Sequence, residues 1–158
     1  MSIDYQIEER LSEGCHILAN DGQGDMIWGH VSARRIYSDK SIFMKPAGFG
    51  LDEINKQNLI AVNYLGEKTS GLAPVHAEVF IHTEIMERRK DVNAVVHTHP
   101  INSVVFSSLD TPLIPIGHEG AMFCNGLPVF KETSDLIVML DLGSKVCDVP
   151  SDCNALIL

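Results

Sequence analysis

Four of the chain's seven histidines stand within residues 74–100, PVHAEVFIHTEIMERRKDVNAVVHTHP, together with a carboxylate at Glu78. His97 and His99 are two residues apart. On an extended strand that spacing sends both side chains to one side, so two imidazoles can address a single point. Glu78 and His82 are four apart, the spacing of neighbours on one helical face. Two neutral imidazoles with a carboxylate nearby match the donor set of a divalent metal such as zinc, which keeps an exchangeable position in catalytic sites. A bound ion of this kind is a Lewis acid toward substrates with neighbouring oxygens, and a carboxylate beside it can move the proton.

The elements that must hold these groups can be read from the same stretch. Val79, Phe80, Ile81, Ile85 and Met86 recur at helical spacing, predicting a helix over 75–90 that ends in the polar run 87–90. Cations in that last turn suit the negative end of the helix dipole. After Asp91, the β-branched apolar run 92–96 predicts a buried strand that delivers His97 and His99.

DVNAVVHTHP preceded by E-x-x-x-H resembles the class II aldolase/adducin family. The family includes sugar-phosphate aldolases and epimerases, a dehydratase, aromatic-acid decarboxylases and the non-enzymatic adducin head. The resemblance implies a single α/β domain over 1–158, a three-layer α/β/α fold around a central, mostly antiparallel sheet. It makes His97 and His99 metal ligands, Glu78 the acid/base group, and Zn²⁺ the expected ion, with Mn²⁺ or Co²⁺ as alternatives. It also implies a small-molecule substrate and a homo-oligomer, commonly a tetramer. The family's third metal-binding histidine lies after a strand resembling CNALIL, where this sequence stops, so the resemblance implies that a C-terminal portion is missing and that this polypeptide alone binds metal weakly.

Departures from the family pattern bear on the substrate. The aldolases carry Ser-Ser before the glutamate, where this chain has His76 and Ala77, and a G-N-x-S-x-R segment where it has GHVSAR, with His30 in the asparagine's place. A phosphate would thereby lose several donors, each worth roughly 1.5–3 kcal/mol when charged. The expected reaction is decarboxylation or aldol cleavage of a hydroxylated carboxylate through a metal-stabilised enediolate. Sugar-phosphate cleavage or epimerisation, or an adducin-like binding module, are the alternatives. His30 reads either as a substrate contact or as a loop histidine without a role. Gly48, in the turn after the strand at 42–45, is a candidate for holding an anion through backbone N–H groups. His118 is open to three readings: a residue behind the ligands, a substrate contact or a satisfied core histidine.

The rest of the chain supplies a frame. Ile3, Ile7, Leu11, Cys15 and Leu18 form one stripe, predicting a helix capped by Ser2 or Asp4 and stopped at 20–22. Strands are expected at 28–35, 42–45, 59–64 and 111–117, an exposed turn or loop at 66–71, and helices at 101–109 and 135–147, the latter capped by Ser134 and broken by Pro150. A further strand begins at 153–158. A net charge of −9 with no basic cluster argues against a nucleic-acid surface. No apolar run is long enough to span a membrane. Cys15, Cys124, Cys147 and Cys153 lack C-x-x-C spacing and read as reduced thiols, and the N-terminus lacks the charge and apolar pattern of a signal peptide. The resulting expectation is a cytoplasmic protein.

Overall fold

The computed structural model describes residues 3–37, 40–149 and 154–158. Among the described residues five strands form one sheet in the order β4-β3-β2-β1-β5. They are β1 (His30–Arg34), β2 (Ser41–Met44), β3 (Ile60–Asn63), β4 (Lys68–Ser70) and β5 (Ala94–His97), and every neighbouring pair is antiparallel. Alternation along the strands divides the core in two. Ile42, Met44, Ile60, Val62 and Val95 face α2 (Val79–Arg88) and α4 (Leu140–Val146). Val31, Phe43 and Ala61 face the other way, onto Leu11 and Cys15 of α1 (Ile3–Asn20) and Leu51 of the short 3₁₀ turn Leu51–Glu53. Helices on both faces of an antiparallel sheet give the three-layer α/β/α arrangement.

Packing fixes the two elements of the histidine stretch. The Arg34 guanidinium donates from Nη2 to the carbonyls of Met86, Arg89 and Val92 and from Nη1 to the Tyr64 hydroxyl. It thereby satisfies carbonyls that the end of α2 leaves without partners and ties that end to β1. α4 crosses α2 at Gly143, where a Cβ would stand 2.6 Å from the Phe80 carbonyl oxygen. Only glycine permits that approach.

Several boundaries differ from expectation. α2 begins at Val79 rather than 75, with Glu78 as its N-cap and residues 74–76 irregular. β5 begins at Ala94 rather than 92: the Arg34 amide still donates to the Asn93 carbonyl, but the Val92 carbonyl is taken by the Arg34 side chain. Residues 68–70 are not a loop. Asn63 Oδ1 accepts the amides of Leu65 and Glu67, tightening the turn into a hairpin that adds β4 as an exposed edge strand. Residues 111–117 form no strand: Pro112 and Pro115 cannot donate to a ladder, and Ile114 and Ile116 are exposed. The helix expected from 135 starts only at Leu140, since the Ile137 amide is drawn to Glu78. Thr133, not Ser134, accepts the Asp135 amide. Asp4 lies inside α1 and pairs with Arg35 rather than capping the helix, while Ser2, Pro150 and Cys153 lie outside the described residues. At the C-terminal end, Ile157 makes a single parallel bridge to Val129. α3 (Ile101–Ser107) follows β5 as expected. No helix among the described residues is long and apolar enough to cross a membrane.

Candidate metal and catalytic site

β5 ends at His97, two residues before His99. Their Nε2 atoms approach to 2.8 Å. His99 is anchored from behind by the Asp25 carboxylate, 3.2 Å from its Nδ1, and Thr98 donates to Gln23 Oε1 at 3.2 Å. The loop before β1 therefore grips the segment that carries the two imidazoles. A carboxylate at Nδ1 leaves the His99 Nε2 lone pair free for a metal.

Glu78 and His82 are not in direct contact. His30 lies between them, its Nε2 3.3 Å from Glu78 Oε2 and its Nδ1 2.5 Å from His82 Nε2. Ser32 Oγ continues the series at 2.6 Å from His82 Nδ1. Glu78 Oε1 accepts the Ile137 amide at 3.1 Å. The His30 ring also stacks on His97, with centroids 4.6 Å apart and planes within 6°, and meets His76 at 4.1 Å in a tilted contact. His30, Ser32 and His82 have no exposed surface.

Burial governs the charge of these rings. It pushes His30 and His82 far below the ordinary imidazole range, with neighbouring histidines adding to the effect. Burial also brings His76 down to about 4. His97 is lowered, again chiefly by burial, against the opposing pull of Glu78. The cluster is a set of neutral imidazoles around one carboxylate, which is the protonation state that metal coordination requires.

His76, Glu78, His97 and His99 line one cleft of about 750 Å³, walled by Trp28, Phe130 and residues 107–112 and 133–137. Ligand atoms of His30, His76 and Glu78 lie within 4.8 Å of one another. Convergent imidazole nitrogens, a carboxylate anchoring one of them and a second carboxylate on the same cleft fit a divalent cation. His30 lies behind the cleft wall rather than on it. Gly48 (φ +84°) and His118 are exposed, and neither is among the residues lining the cleft.

Sequence spacing passed over Asp25, Ser32 and the Ile137 amide. Ser32 did carry a signal, since it is two residues from His30 on the same strand and so shares its face. Asp25 and Ile137 carry none, because each meets its partner only through the tertiary fold. The cysteines play no part in the cleft: among the described residues Cys15, Cys124 and Cys147 are unpaired, and burial raises Cys15 and Cys147 to about 11.

This chain belongs to the class II aldolase and adducin N-terminal domain family, which it matches over residues 9–158. The L-fuculose phosphate aldolase of Methanococcus vannielii is 31% identical over 99 residues, 63% of this chain and 52% of that protein. The 3,4-dihydroxyphthalate decarboxylase of Arthrobacter keyseri is 31% identical over 101 residues, 58% of this chain and 40% of its own. An aldolase II superfamily protein from Pseudomonas syringae has the same fold, with a TM-score of 0.89 and 24% identity over 100% of this chain and 64% of that one. The chain spans about half the length of the curated relatives it matches.

Proposed function

We propose that the whole protein is a divalent-metal-dependent lyase of the cytoplasm that cleaves a C–C bond, by decarboxylation or aldol cleavage, in a small hydroxylated carboxylate. The observation that carries this reading is the cleft itself: Glu78, His97 and His99 open onto it, with an imidazole rather than a hydroxyl pair beside the glutamate. His97 and His99 would hold the ion, zinc by the softness of their nitrogen donors, with manganese or cobalt as substitutes. When bound there, the ion supplies a Lewis acid that polarises substrate oxygen and offsets negative charge developing as the bond breaks.

The protein's own groups do the rest. Glu78, its carboxylate held by Ile137 and His30, takes or returns a proton at the reacting carbon. His76 faces the Glu78 amide with Nδ1 at 3.4 Å, so its single N–H is on Nε2. One neutral donor suits a carboxylate. It is a poor match for a phosphate dianion, which is best held by several charged donors. Ala77 adds no donor. A homotetramer, and a single catalytic domain extending over residues 1–158, belong to the same proposal by family resemblance.

The test is turnover of hydroxylated carboxylic acids and sugar phosphates with added Zn²⁺, Mn²⁺ or Co²⁺. At least one hydroxy acid should exceed fuculose phosphate and ribulose phosphate in kcat/KM, and the reverse order would overturn the substrate class. Protein that holds no stoichiometric ion and turns over nothing would instead be a binding module.

A further inference from the structure

The buried face of the cleft contains a hydrogen-bond series with only one consistent direction. Glu78 Oε1 receives the Ile137 amide, and its other oxygen faces His30 Nε2 at 3.3 Å. A carboxylate only accepts, so the hydrogen in that contact sits on His30 Nε2. A neutral imidazole has one N–H, which leaves His30 Nδ1 bare. The nitrogen facing it, His82 Nε2, must then carry the hydrogen. His82 Nδ1 is bare in turn, and the Ser32 hydroxyl must donate to it. Three hydrogens and three acceptors are matched without remainder, and burial keeps the rings uncharged.

We propose that Ser32, His82 and His30 form a one-way donor chain ending on Glu78. His30 is thus a positioning residue for the proton-transferring carboxylate, not a substrate contact. The assignment rests on the reading of Glu78 as the acid/base group. With Ile137 at one oxygen and His30 at the other, the carboxylate plane is fixed, and the remaining lone pairs are left to the cleft. The burial of His30, Ser32 and His82 agrees with this role, since none of them is among the residues lining the cleft.

A chain with one direction can be reversed from its end. In Glu78→Gln the amide oxygen must stay on the Ile137 N–H, which turns the NH₂ toward His30 Nε2. Donor then meets donor. The conflict is relieved when His30 moves its hydrogen to Nδ1 and donates to His82 Nε2, and His82 moves its own to Nδ1 and donates to Ser32 Oγ. A change at residue 78 is therefore read two rings away.

The experiment is long-range ¹H–¹⁵N correlation of the full chain, labelled at histidine, at pH 7.5, with signals assigned through His30→Gln and His82→Gln. Both rings should show protonated Nε2 and bare Nδ1 in the native chain. Both should swap in Glu78→Gln, and neither should swap in Ser32→Ala, because the direction is set at the Glu78 end. Protonated Nδ1 on either native ring, a cationic ring, an unchanged or half-changed pattern in Glu78→Gln, or a swap in Ser32→Ala would each overturn the proposal. The native and Ser32→Ala spectra decide it even if Glu78→Gln does not fold. The readout uses no substrate, so failure of the proposed reaction and failure of the donor chain are separate results.

Discussion

Two groups of histidines a few ångströms apart use the same side chain for opposite ends. His30 and His82 are sealed, each ring nitrogen matched to a protein partner. His97 and His99 face each other across 2.8 Å at the edge of the cleft, with only His99 anchored from behind, by a carboxylate that is half exposed. In the sealed group, displacing any member leaves a buried polar atom unpaired, so its residues report on stability and orientation. In the open group the nitrogens are available to a ligand, so its residues report on metal. Burial and partner identity, rather than residue type, separate the two tasks.

The largest test of this contrast falls on the residue that belongs to both groups. Glu78→Gln should lower turnover of an accepted substrate by about 10²–10⁴-fold, the usual span for one acid/base group, while leaving metal affinity largely intact. Equal losses in both would merge the two groups into one. Steady-state kinetics and a metal titration of the same preparation measure them together.

Breaking the sealed group comes next. His82→Ala strands His30 Nδ1 and the Ser32 hydroxyl and opens a cavity, and should cost about 2–4 kcal/mol in urea denaturation. His99→Ala, at a half-exposed ring, should change stability by less than about 1 kcal/mol while abolishing metal binding. If the two variants were equally destabilised, the sealed and open distinction would fail.

Acid should act on the sealed group too. His30 and His82 are held far below the ordinary value of 6.5 when folded and return to it on unfolding. The unfolded chain therefore binds more protons below that pH. Stability is fully present above about pH 6.5 and is lost as pH falls, by up to about 1.4 kcal/mol per unit for each ring. His76 contributes in the same sense down to about 4. Urea midpoints measured from pH 8 to pH 5 should fall steadily below 6.5, and a flat profile would contradict the neutral cluster.

The smallest effect sharpens the open group. Asp25→Ala removes the anchor of His99 and should weaken zinc affinity by about 10–100-fold in competition with a chromophoric chelator, at little cost in stability. An unchanged affinity would show that the loop before β1 does not set the ring.

Much of this was legible in the chain. The i, i+2 spacing of His97 and His99, the i, i+4 spacing of Glu78 and His82, the stripe of α1 and the apolar runs of β2, β3 and β5 each describe geometry within one element, where covalent connection alone decides which side chains share a face. Elsewhere that local information ran out. Residues 111–117 have the apolar character of a strand but, among the described residues, no neighbouring strand to pair with. Residues 66–71 have the polarity of a loop, yet Asn63 closes them into a hairpin.

The sequence by itself therefore determined the histidine and carboxylate inventory, its local spacing, and the family. Only the tertiary structure decided what each histidine is for. His30 meets Glu78 across 48 residues, Ile137 meets it across 59, and Asp25 meets His99 across 74. Such contacts depend on the register of β1 against β5 and on the packing of α2 and of the segment before α4 over the sheet. No periodicity within a single element contains that information, because separate elements are brought together by burial of their apolar faces, not by the spacing of their polar ones.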